Sequence, residues 1–135
     1  MKWRDWFGIL FFESLTVAAV MGLFKVLDPA VAGIFGGILF SFLGIYVGLF
    51  LIRRKTYFRS LTFWWLFVYL FYSVLPLLLV RLTNWGVDFN QLKVWGVMGA
   101  DFHRISSEVF LILIGCSFVD LLIVIFQNIR RRFNK

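Results

Sequence analysis

Four long apolar runs leave this chain few ways to fold. They cover about residues 6–27, 30–52, 61–80 and 109–126. A helix needs about 20 predominantly apolar residues to cross the hydrocarbon core of a bilayer, and each run comes close to that. No water reaches backbone N–H and C=O groups inside lipid, so only helices and closed barrels are viable there. Barrel strands alternate apolar and polar side chains, and these runs do not. The sequence therefore predicts an all-α polytopic membrane protein with four transmembrane helices in a single integral membrane domain. Composition points the same way: of 135 residues, 61% are hydrophobic and 16% charged. Ordinary soluble domains are about 45–50% apolar and about 25% charged, and a chain this short cannot bury the excess in a water-facing globule.

The connections differ in character. Asp28-Pro29 predicts a tight turn, with Asp28 as the N-cap of the second helix and Pro29 in its first turn. Residues 53–60 form a short basic link. Residues 82–106 are mixed, with Trp85, Phe89, Trp95 and Phe102 among Asp88, Asn90, Lys93 and Asp101. That pattern predicts an interfacial or re-entrant segment between helices three and four. Gly96 and Gly99 weigh against one unbroken helix there. Asp101 can cap a fourth helix that starts before the membrane. The N-terminal run is read as a retained first helix rather than a signal peptide, because no small-residue cleavage pattern follows it.

Charge sets the expected orientation. With four spans, residues 1–5, the second connection and the C-terminal tail share one side. That side carries Lys2, Arg4, Arg53, Arg54, Lys55, Arg59, Arg130, Arg131, Arg132 and Lys135. The other carries only Lys25, Arg81, Lys93 and Arg104. The positive-inside rule then places both termini in the cytoplasm of an inner-membrane protein. Arg53, Arg54, Lys55, Arg130, Arg131 and Arg132 are expected to contact lipid headgroups or a cytoplasmic partner. The net charge of +7 is accounted for in this way, and nucleic acid is not expected as a partner.

Small residues mark a packing face. Gly33, Gly37, Ser41, Gly44 and Gly48 fall on one narrow stripe of the second helix, suited to an intramolecular seam or a subunit contact. Glu13 and Asp120 lie inside predicted spans, where carboxylates are costly and often functional. No Lys or Arg sits at their depth. They are read as protonated and hydrogen-bonded, for instance to Ser14, Thr16 or Ser117, or as a shared proton or cation site, or as partners for a basic group of another protein. Asp101, His103, Arg104 and Glu108 form a candidate outer polar cluster, with no nucleophile at diagnostic spacing beside them. Pro76 is expected to bend the aromatic third helix and free a carbonyl. The lone Cys116 is read as a packing residue. One histidine and one cysteine cannot build a typical metal or haem site, so no metal and no cofactor is assigned.

These residues carry two partial resemblances. Four short spans and Glu13 in the first resemble the small multidrug-resistance transporters, but the long connection before the last helix and Asp120 depart from that pattern. The Asp28-Pro29 turn, Gly36-Gly37 and Arg53-Arg54 resemble the small accessory subunit I of ATP synthases, whose acidic and lysine pattern the third helix lacks. Neither is adopted. The expected role is a small non-enzymatic subunit, or an assembly or accessory factor, of a larger inner-membrane complex. Its partners would be membrane lipids and other integral membrane proteins, or further copies of itself. The alternative is a small homo-oligomeric transporter or ion channel using Glu13 and Asp120; a holin-like pore is a third.

Overall fold

Asp28 breaks the chain after the first apolar run and starts the next helix. Its carboxylate accepts the Ala30 N–H at 2.9 Å, and Pro29 occupies the first helical position. In the computed structural model, which describes residues 1–133, four long helices result. They are α1 (Trp3–Val26), α2 (Pro29–Arg53), α3 (Leu61–Thr83) and α4 (Gly99–Phe133). All four are long and apolar enough to cross a membrane, and the chain is a multi-pass α-helical membrane protein.

The helices run up, down, up, down. Asp5 at the start of α1 pairs with Arg54 at the end of α2, and Pro29 at the start of α2 meets Arg81 near the end of α3. Phe24 in the last turns of α1 meets His103 near the start of α4. α1 packs on α2 and α4, and α3 packs on the same two. The bundle is therefore square, with α1 and α3 on one diagonal. At one end, the terminal end, lie residues 1–2, the 54–60 link and the tip of α4. At the other, the distal end, lie the Asp28 turn and the 84–98 connection.

Burial is uneven along the bundle. Ile9, Leu43, Val47, Leu51, Leu66 and Leu113 pack into a continuous core towards the terminal end. Large side chains such as Phe7, Phe42, Leu111 and Phe126 are exposed, as a lipid-facing surface requires. The small stripe of α2 faces α3. A Cβ at Gly44 would run into the Leu70 side chain, and one at Gly37 would lie 3.1 Å from Leu78 Cδ1. The seam is thus intramolecular, and close approach is what these glycines supply.

α2 ends in a two-bond Schellman arrangement, in which Thr56 N–H donates to Leu51 C=O and Lys55 N–H to Ile52 C=O. Lys55 takes the left-handed position there, φ 54°, that glycine more often fills. α3 carries a π turn over Tyr69–Val74 just before Pro76. Proline cannot donate a helical hydrogen bond, so the Tyr72 carbonyl four residues earlier is released. The Trp95 indole N–H donates to it at 3.1 Å.

The 82–106 region, expected to be interfacial or re-entrant, is built from several short pieces. Its first two residues finish α3, and 99–106 belong to α4. Between them lie a 3₁₀ turn at Phe89–Gln91 and a small hairpin of β1 (Lys93–Val94) and β2 (Val97–Met98). Trp95 and Gly96 both have positive φ, 53° and 80°, as a two-residue type I′ loop demands. α4 starts ten residues earlier than hydropathy suggests because its first turns are polar: Asp101, His103, Arg104, Ser106, Ser107 and Glu108. At about 1.5 Å per residue its 35 residues reach about 52 Å. That exceeds the ~30 Å hydrocarbon thickness, and the exposed residues 126–133 project past the bundle.

Candidate functional site

The link between α2 and α3 delivers Ser60, Leu61 and Thr62 against the side of α4, where Asp120 waits. The Asp120 carboxylate accepts from Ser60 Oγ at 2.9 Å, Leu61 N–H at 3.3 Å, Thr62 N–H at 2.9 Å and Thr62 Oγ1 at 2.7 Å. Ser60 Oγ in turn accepts the Phe63 N–H at 3.2 Å. Asp120 is therefore a cap for α3 supplied by another helix. The positive end of the α3 dipole and its unpaired N–H groups are what compensate this carboxylate, in place of a lysine or arginine.

Glu13 joins the same network. Ser117 Oγ donates to Glu13 Oε1 at 2.8 Å and lies 3.3 Å from Thr62 Oγ1. The chain of contacts Glu13–Ser117–Thr62–Asp120–Ser60 ties α1, α4 and α3 together, and all five side chains are buried. Glu13 Oε2 has no hydrogen-bond partner. Of the hydroxyl partners expected from sequence, Ser117 alone serves. Ser14 is exposed, and Thr16 Oγ1 donates to Phe12 C=O in its own helix. Nothing in the sequence marks Ser60 and Thr62 as partners; only the fold brings positions sixty residues apart to one carboxylate.

Above this network three rings close the middle of the bundle. Phe40, Tyr69 and Phe110 meet with centroids 5.1–5.8 Å apart. On their distal side the helices part around a cavity of about 530 Å³, lined from all four. It adjoins a more polar vestibule of about 710 Å³ beneath the 84–98 connection. Arg81, His103 and Phe24 line both spaces. Arg81 lies flat on α2 where Gly33 has no side chain, and a Cβ there would collide with its guanidinium. Its Nη1 donates to Pro29 C=O at 3.3 Å, and its Cζ sits 4.0 Å from the Phe89 ring centroid. Arg81 was not singled out by sequence, where it reads as an ordinary basic residue at a helix end.

The other candidates are scattered. Asp101, His103, Arg104 and Glu108 are all exposed and make no side-chain hydrogen bond or ion pair with one another. Arg53, Lys55, Arg130, Arg131 and Arg132 are exposed at the terminal end, and Arg54 pairs with Asp5 at 3.4 Å. Ser41 Oγ turns back to Gly37 C=O at 2.8 Å, and Gly48 sits 3.7 Å from Leu66 in the α2–α3 seam. Among the described residues no three His, Cys, Asp or Glu side chains converge as metal ligands. Comparison with protein-family models, with curated proteins and with solved structures returns no match.

Proposed function

We propose that this chain is a small non-enzymatic integral membrane subunit, or an assembly or accessory factor, of a larger inner-membrane complex. The observation that carries this reading over a transporter is the use of Asp120. All four of its hydrogen bonds go to the start of α3. A carboxylate holding a helix end in place is poorly suited to release and rebind a coupled ion. A second observation supports lateral contact. Ser14, Ala18 and Gly22 repeat at four-residue spacing on α1 and are exposed, and a Cβ at Gly22 would touch nothing within 4 Å. With the α2 stripe used inside the bundle, this is the small-residue face left for another helix. The basic tip of α4 then reaches cytoplasmic partners or anionic headgroups.

The test is native mass and composition in mild detergent. The full chain is expected to co-purify with a fixed set of membrane proteins and to lose them in Ala18→Phe and Gly22→Leu, which keep the monomer folded. In liposomes the chain alone should give no proton or cation flux. Robust flux that disappears in both Glu13→Gln and Asp120→Asn would overturn the proposal in favour of the transporter reading.

A further inference from the structure

We propose that the distal cavity and its vestibule bind one zwitterionic phospholipid, with an acyl chain in the cavity, the phosphodiester on Arg81 and a primary ammonium group between Asp28 and Asp88. This is independent of whether the chain acts as a subunit. The cavity supplies the apolar half. Its volume of about 530 Å³ falls in the roughly 300–1,000 Å³ range of small-molecule sites. The Phe40–Tyr69–Phe110 closure gives it a floor. Arg81 supplies the anion site. Its guanidinium has five N–H donors, it gives one bond to Pro29 C=O, and no carboxylate among the described residues lies within ion-pair distance.

Its position suits a phosphate. Arg81 stands two residues before the end of α3, where the cavity meets the vestibule. Exposed Trp85, just past the end of α3, marks the same end as headgroup level. Charge complementarity selects the headgroup. Asp28 and Asp88 line only the vestibule, whereas Arg81 lines the cavity as well. Each uses Oδ1 to cap a local turn, accepting Ala30 N–H and Asn90 N–H respectively, which leaves Oδ2 free of protein donors. One cation inside and two carboxylates outside match a phosphate followed by an ammonium. A purely anionic head would meet repulsion at the outer pair, and a quaternary ammonium could donate no hydrogen bond to them.

Native mass spectrometry of the delipidated full chain tests this, using phosphatidylethanolamine, phosphatidylglycerol and phosphatidylcholine in turn. One phosphatidylethanolamine is expected to be retained at least tenfold more strongly than either of the others. Chainless glycerophosphoethanolamine should not displace it. Arg81→Gln should lower retention tenfold or more. Asp28→Asn with Asp88→Asn should bring phosphatidylethanolamine and phosphatidylglycerol to within about twofold. Asparagine keeps both caps, so this double variant tests the headgroup without loosening the fold. Equal retention of the three lipids by the native chain would overturn the proposal, as would retention unchanged in Arg81→Gln or a preference surviving the double variant.

Discussion

Asp120 and Glu13 share one network but carry different weights in it. Asp120 accepts four hydrogen bonds, two of them from backbone N–H groups that α3 cannot satisfy itself. Removing the carboxylate in Asp120→Ala strands buried donors, and each costs about 1–3 kcal/mol when unmade. The expected loss is therefore roughly 2–3 kcal/mol or more, read as the unfolding midpoint in mixed micelles of increasing denaturing-detergent fraction. Asp120→Asn keeps one acceptor oxygen and turns an NH₂ towards groups that donate, so it should fall between. Glu13 makes one bond, through Oε1 to Ser117, while Oε2 has none. Glutamine preserves the acceptor and changes only the unpaired position. Glu13→Gln should then cost less than about 1 kcal/mol, in the same assay. A Glu13→Gln loss as large as that of Asp120→Ala would show that Oε2 has a partner in the working protein.

At the scale of elements, α3 is the helix whose geometry depends most on its neighbours. Pro76 removes one N–H, the Tyr69–Val74 turn widens to a π form, and the hairpin returns Trp95 to the released Tyr72 carbonyl. Trp95 also stacks on Tyr72, with centroids 6.4 Å apart and planes 6° off parallel. If the indole N–H replaces the donor that proline lacks, the two residues must be coupled. Trp95→Phe should cost about 1 kcal/mol in the native background. It should cost less beside Pro76→Ala, whose restored N–H can serve the same Tyr72 carbonyl, with a coupling on the order of 0.5–1 kcal/mol. A double-mutant cycle of unfolding free energies measures it, and strict additivity would show the carbonyl to be satisfied otherwise. The freed carbonyl was legible from Pro76 alone; its donor was not, because no local rule links residues 72 and 95. The same divide runs through the rest of the fold. Apolar runs fixed the number of spans, and Asp28-Pro29 fixed a cap. The polar first turns of α4 hid ten helical residues from hydropathy, because a helix that leaves the hydrocarbon no longer needs apolar side chains. Glu13 and Asp120 stood out as costly residues in lipid, yet their partners are hydroxyls and backbone groups too common in sequence to be marked.

Taken as a whole, the molecule is polarised along its axis. The terminal end holds the closed core, the carboxylate network and Lys2, Arg4, Arg53, Arg54, Lys55, Arg59, Arg130, Arg131 and Arg132 among the described residues. The distal end holds the cavity, the tryptophan-bearing connection and Lys25, Arg81, Lys93 and Arg104. Of the distal four, Arg81 is partly withdrawn into the bundle, which weakens that end further as a topological signal. Up-down-up-down packing requires residues 2 and 131 to share one face of the membrane, and from the charge bias we propose that this face is the cytoplasmic one. Single cysteines in a Cys116→Ala background test both statements. Lys2→Cys and Arg131→Cys should react with a membrane-impermeant maleimide only after permeabilisation, whereas Lys93→Cys, on the exposed hairpin, should react in intact cells. Labelling at positions 2 and 131 from opposite faces would refute the bundle itself. Labelling of both from outside would leave the bundle intact and reverse only its orientation. The two outcomes separate because the first statement rests on contacts between helices, such as Asp5 with Arg54 and Glu13 with Ser117. The second rests only on where basic residues fall.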